Sequence, residues 1–151
     1  MTLYIDGDAF PNLLKPVLLR AINRLEIPTV VVANKRITLG PSKHITYILV
    51  SAGADEADHR IVELVKEGEL VITADIPLAD RVITKKAHAI NHRGEMFTAE
   101  NIKDILSMRN LMQGFRDCGE FTKGPAPLNH KDVSKFANKL NQFCNNPKAF
   151  A

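Results

Sequence analysis

The chain has 151 residues, 45% hydrophobic and 25% charged, with 20 lysines and arginines against 17 aspartates and glutamates for a net charge of +3. That length and balance predict one domain spanning residues 1–151 and exclude general disorder. The mild basic excess is compatible with a nucleic-acid partner without requiring one. Its two cysteines, Cys118 and Cys144, form no CxxC unit and cannot make a four-thiolate zinc site.

The N-terminal Met1–Ile5 run lacks the charged-then-apolar build of a signal peptide, and no apolar run approaches the length of a membrane span. A cytoplasmic protein with no membrane partner is therefore expected. Leu3 to Ile5 reads as a buried strand ending in Asp6-Gly7-Asp8. Leu14, Val17, Leu18, Ala21, Ile22 and Leu25 recur at three- and four-residue steps and predict a helix. Pro16 means that this helix either starts near Lys15 or is kinked there.

Pro28 introduces Thr29-Val30-Val31-Val32-Ala33, a β-branched run typical of a buried parallel strand. A loop carrying Lys35, Arg36, Gly40, Pro41, Lys43 and His44 leads to a third strand, Ile45 to Val50. Asp55-Glu56-Ala57-Asp58 opens a helix with Ala57, Ile61, Leu64 and Val65 on its apolar face, stopped by Gly68. Leu70 to Thr73 is the fourth strand, followed by Asp75 and by Pro77 in the first turn of another helix. Ala87 to Ile90 is a fifth, weaker strand. Thr98 caps a long helix ending by Gly119. Residues 117–130 form a loop rich in glycine and proline, 131–144 a final amphipathic helix, and 145–151 a frayed tail.

Strands separated by single helices imply an α/β fold: a three-layer sandwich around a central, mainly parallel sheet of about five strands. In such sheets ligands bind beyond the carboxyl ends of the strands, at a switch point in strand order. Asp6 and Asp8 follow the first strand, Asp55 and Asp58 the third, and Asp75 the fourth. If those strands neighbour one another, the five carboxylates converge on one pocket. Oxygen donors with open access to water suit Mg²⁺ or Mn²⁺ better than zinc. Such an ion can lower the pKa of a bound water and neutralise charge on a phosphodiester being cleaved.

Each of these positions also begins a helix, where Asp is a favoured N-cap, and Asp55-x-x-Asp58 resembles a capping box. Capping needs one acid per helix, whereas two of the three junctions carry a pair whose repulsion subtracts stability unless a cation compensates. Asp80, more than a turn into its helix, is a weaker member of the set. Glu56 is expected to face water.

Among the cations, Arg109 and Arg116, seven residues apart on the long helix, and Lys123 in the Gly-Pro loop are candidates to hold substrate phosphates. Lys35, Arg36, Lys43, Arg81, Lys85, Lys86 and Arg93 are scattered and read as ordinary surface charge. His59 and His92 are candidates for proton transfer. Tyr4 and Tyr47 lie in strands and there is no tryptophan, which argues against single-strand binding built on stacking platforms.

The segments Tyr4-Ile5-Asp6-Gly7-Asp8-Ala9-Phe10-Pro11, Ala54-Asp55-Glu56-Ala57-Asp58 and Leu70-Val71-Ile72-Thr73-Ala74-Asp75-Ile76-Pro77 closely resemble the YaiI/YqxD family of uncharacterised bacterial proteins. Asn91-His92-Arg93-Gly94-Glu95 and Thr122-Lys123-Gly124-Pro125 extend the resemblance over nearly the whole chain. The family is grouped with PIN-like domains, many of which are Mg²⁺- or Mn²⁺-dependent ribonucleases. The resemblance thus implies a PIN-like sheet, RNA as a partner, and a nuclease-like pocket formed by Asp6 or Asp8, Asp55 or Asp58, and Asp75. The sequence departs from the family pattern at Phe10, which takes a cysteine position, at Asp80, where a small residue is expected, and at Pro16 within the first helix.

Two other functions fit the acids. A phosphohydrolase resembling the haloacid-dehalogenase type would use Asp6 as covalent nucleophile with Asp75 and Asp80 as the later pair, and would give Asp55 and Asp58 no role. A non-catalytic RNA- or protein-binding module would keep the acids only as caps.

Overall fold

In a computed structural model that describes residues 1–53, 55–117 and 127–150, six strands form one sheet. They are β1 (Leu3–Asp6), β2 (Thr29–Ala33), β3 (Ile45–Leu49), β4 (Leu70–Ile72), β5 (His88–Ile90) and β6 (Met96–Phe97). The helices are α1 (Lys15–Leu25), α2 (Glu56–Leu64), α3 (Ile76–Thr84), α4 (Ile102–Asp117) and α5 (His130–Asn145). Strand order across the sheet is β3-β2-β1-β4-β5-β6, parallel throughout except for the antiparallel β5–β6 pair.

Alternation along each strand divides the core into two layers. Leu3, Ile5, Leu70 and Ile72 point to one face, against Leu14, Leu18 and Ile22 of the α1 segment and Phe136, Leu140 and Phe143 of α5. Tyr4 and Val71 point to the other, against Ala57 and Ile61 of α2 and Leu78, Ala79 and Val82 of α3. The three-layer α/β sandwich expected from the sequence is present, with one strand more than expected. That strand, β6, has two residues and folds back on β5 through a turn at Gly94 (φ 80°), too short for any periodicity to announce it.

Pro16 does not kink α1. A 3-10 turn at Asn12–Leu14 precedes it, so the helix begins at Lys15 with the proline in its first turn, where a missing N–H is harmless. Thr98 and Asn101 cap the start of α4 reciprocally, each side chain accepting from the other's backbone N–H. Asn129 and Asp132 form a capping box on α5, and Arg93 of the β5–β6 turn pairs with Asp132 at 2.7 Å. The tail is more ordered than expected, since Pro147–Phe150 make a 3-10 turn after α5. Of the expected loop at 117–130, residues 127–129 are irregular, and Cys118 lies outside the described residues.

One connection departs from the helix-between-strands pattern. Residues 34–44 carry the chain from β2 to the parallel β3 without a helix, and Leu39 buries itself in the α1–α5 layer. The next crossover then returns across the sheet, seating α2 on β1 and β2. Among the described residues no helix is long and apolar enough to cross a membrane.

Candidate active site

Strand order reverses between β1 and β4: the chain leaves β1 toward β2 and β3, then resumes on the other side at β4. The carboxyl ends of β1 and β4 therefore flank the crevice where a ligand is accommodated in this architecture. Asp6 ends β1 on the same face as Tyr4, toward α2 and α3. The pairing of Ile5 with Ile72 brings the next residues, Asp6 and Thr73, side by side. Fully buried Thr73 donates its Oγ1 hydrogen to Asp6 Oδ2 at 3.0 Å and accepts from the Asp75 N–H at 2.9 Å.

Asp8 lies beyond the strand, and its Oδ1 accepts from the Asn34 N–H at 2.7 Å, fastening the first loop to the end of β2. β3 is not a neighbour of β1, so Asp55 and Asp58 do not arrive in the way the strand-end argument supposes. They arrive because α2 crosses back over β1 and β2 with Asp58 in its first turn. Asp6, Asp8, Asp55, Asp58 and Asp75 all line one cleft of about 380 Å³, together with Asn34 and His92.

Helix capping accounts for one of the five. Asp75 Oδ1 accepts from the Leu78 N–H at 3.0 Å and caps α3. Asp55 precedes α2 with a left-handed backbone (φ 64°), and its side chain makes no capping bond, so the Asp55–Asp58 capping box does not form. Asp6 and Asp8 begin no helix, because the first turn starts after Pro11.

The electrostatics of the cleft follow from burial and, after it, from this crowding. Burial, then the charges of Asp75, Asp6 and Asp55, push the Asp58 carboxyl up to about 7, with Arg81 opposing. Burial also raises Asp6 above the ordinary carboxylate range; the Thr73 hydrogen bond opposes, while the Asp8 and Asp75 charges add to the rise. His92 is pushed down to about 4, by burial and then by the Arg93 charge, so it is neutral at pH 7 even beside the acids. Its ring stands edge-on to Phe10 with centroids 5.4 Å apart. Phe10 thus packs against a wall of the cleft and contributes no donor to it.

The remaining candidates divide. Glu56 is exposed, as expected, and also lines the cleft. Asp80 does not line it; its carboxylate pairs with Lys103 at 2.8 Å. Arg109 is exposed on α4 and is not part of the cleft wall. The Arg116 side chain and Lys123 lie outside the described residues. Arg81 is hydrogen-bonded to His59 at 3.0 Å, and Lys85 donates to the Val65 carbonyl at 2.7 Å. Thr73 and Asn34 were not singled out by sequence reasoning. A polar residue immediately after a β-branched or apolar strand is the only local signal either one gives.

Oxygen-only donors of this kind fit a hard divalent cation. Among the described residues no three His, Cys, Asp or Glu side chains are already grouped to hold a metal ion.

Comparison with known proteins places the chain in a wider group. Residues 4–146 match the model of a family described as "Uncharacterized BCR, YaiI/YqxD family". The UPF0178 protein of Sulfurimonas denitrificans is 64% identical over 143 residues, covering 95% of each chain. That of a Sulfurovum species is 62% identical, covering 95% of this chain and 97% of the relative. A UPF0178 protein of Photobacterium profundum is 49% identical at 95% coverage of both. With the match spanning nearly every described element, the chain belongs to the YaiI/YqxD family.

Proposed function

We propose that the protein is a divalent-cation-dependent nuclease that hydrolyses RNA phosphodiesters in the acidic cleft. One observation carries the reading: five aspartates from three separate junctions share one cleft, where burial first and the neighbouring carboxylates second raise Asp58 and Asp6. Negative charge concentrated at a switch point costs stability in the free protein, and a bound cation offsets that cost. The PIN-like resemblance of the strand-end acids points to the same chemistry by analogy.

Asp6, Asp8, Asp55, Asp58 and Asp75 would hold Mg²⁺ or Mn²⁺. When bound, the ion supplies neutralisation of phosphodiester charge and acidification of an attacking water. The chain's own residues prepare the cleft. Thr73 fixes the Asp6 oxygen and the start of α3, and Asn34 fixes Asp8. Asp58 exchanges its proton near neutrality, so cation binding releases a proton there. The phosphohydrolase alternative receives less support, because Asp80 is engaged by Lys103 while Asp55 and Asp58 share the cleft with Asp6.

The test is hydrolysis of single-stranded and structured RNA with Mn²⁺ or Mg²⁺ by the wild type and by Asp75→Asn. Cation-dependent cleavage lost in the variant supports the reading; equal rates in both sink it. A covalent phosphate trapped on Asp6 would favour the phosphohydrolase instead.

A further inference from the structure

We infer that the groove between the loop after β2 and the edge strand β3, on the opposite face of the sheet from Asp6 and joined to the cleft around the carboxyl end of β2, holds the part of a single-stranded polynucleotide that flanks its scissile phosphate. The choice of ligand rests on the nuclease reading of the acidic cleft. The groove itself stands on separate observations.

The groove, about 410 Å³, is walled by Lys35, Arg36, Ile37, Thr38, Tyr47 and Leu49. It opens on the α1–α5 face of the sheet, whereas Asp6 faces α2 and α3, and the two are joined by the chain at the carboxyl end of β2: Asn34 lines the cleft, and Lys35, the next residue, lines the groove. The Asp8 bond to the Asn34 N–H anchors that junction. Because β3 is the edge of the sheet, Tyr47 is 42% and Leu49 58% exposed. Tyr47 is nonetheless held in place, its hydroxyl accepting from the Leu39 N–H at 3.0 Å. In the sequence, the strand position of Tyr47 argues against a stacking role. The edge position returns it as an accessible ring on a fixed backbone.

Charge selects the occupant. Lys35 and Arg36 are exposed and form no ion pair among the described residues. Two unpaired cations over an apolar floor complement a ligand that alternates phosphates with flat apolar faces. Single strands are bound in this way, with base stacking on aromatic rings and backbone contacts to basic side chains. The cations also place positive potential at the residues that follow Asn34 out of a cleft whose own acids repel a polyanion. The groove therefore supplies attraction that the cleft alone lacks.

The experiment is fluorescence anisotropy of labelled single-stranded RNA of about ten nucleotides, and of DNA of the same sequence, in EDTA so that no cleavage occurs. The wild type is compared with the Lys35→Ala/Arg36→Ala double variant and with Tyr47→Leu, each checked for its thermal transition. The expected result is wild-type binding weakened about tenfold in each variant, with a shallower salt dependence only in the double variant. Tighter binding of RNA than of DNA identifies the natural strand. Wild-type affinity in both variants, or no binding by the wild type, overturns the inference. Cleavage by the wild type with Mn²⁺ is read in parallel. Binding without cleavage keeps the groove and removes the nuclease reading; cleavage with unchanged binding in the variants does the reverse.

Discussion

Asp58→Asn tests the electrostatic basis of the site without any assumption about substrate. In the unfolded chain the carboxyl loses its proton near 3.8, whereas in the native cleft it keeps it to about 7. Between those values the unfolded state binds fewer protons, so native stability falls as pH rises from about 4 to about 7 and is level above that. At about 1.4 kcal/mol per pH unit, that interval would be worth ~4 kcal/mol for a fully shielded group. Asp58 is only half-buried, and solvent screening reduces the expected cost to about 1–2 kcal/mol. Asparagine keeps the shape and removes the charge. Asp58→Asn should therefore stabilise the cation-free protein by about 1–2 kcal/mol at pH 8 and by nearly nothing at pH 4. Urea titrations of both proteins in EDTA across that range measure the difference. An equal effect at both pH values, or destabilisation at pH 8, would refute the assignment of the repulsion to Asp58.

Thr73→Val keeps the buried volume but removes a donor to Asp6 and an acceptor for the Asp75 N–H, at a cost of about 2–3 kcal/mol in denaturant titrations. Because the Thr73 bond lowers the Asp6 carboxyl, the variant should also shift cation binding, followed by calorimetry, to higher pH. Asp75→Asn should leave stability within about 0.5 kcal/mol, because an amide oxygen still caps α3, whereas Asp75→Ala should lose about 1 kcal/mol by thermal melting. Gly94→Ala should be severe. A Cβ there would lie 2.6 Å from the Lys135 carbonyl group, at a φ of 80°, for a combined loss of about 2–4 kcal/mol in chemical denaturation. Mn²⁺ titrated calorimetrically in buffers of different ionisation enthalpy should release most of one proton at pH 6 and progressively fewer as pH rises through 7, following Asp58.

Much of the scaffold was legible because its signals are local. The β-branched run at Thr29–Ala33 and the apolar spacing from Leu18 to Ile22 mark their elements without reference to anything distant. The acids were legible as residues at element ends, although the route by which Asp58 reaches Asp6 was not. That route depends on α2 crossing back from an edge strand, a property of strand order that no window of sequence contains. Thr73 escaped notice for a related reason, since its importance comes from the register of β4 against β1. The accessibility of Tyr47 was not legible because exposure in a strand depends on whether another layer covers that face, and β3 lies at the sheet edge where the cover is incomplete. Asp55 shows the opposite failure: a good N-cap residue in a good position, yet its backbone is left-handed and its side chain caps nothing.

The hydrogen bond between Thr73 and Asp6 joins residues 67 apart in sequence, across the seam between the two halves of the sheet. A cation shared by Asp6 and Asp75 would act there as a reversible cross-link, closing a long loop of chain much as a disulfide does. Its strength, unlike a disulfide's, would follow the free concentration of the ion. Amide exchange at the β1–β4 pairing should then slow as Mn²⁺ is added, while the β5–β6 hairpin, lying wholly on one side of the seam, keeps its own rate.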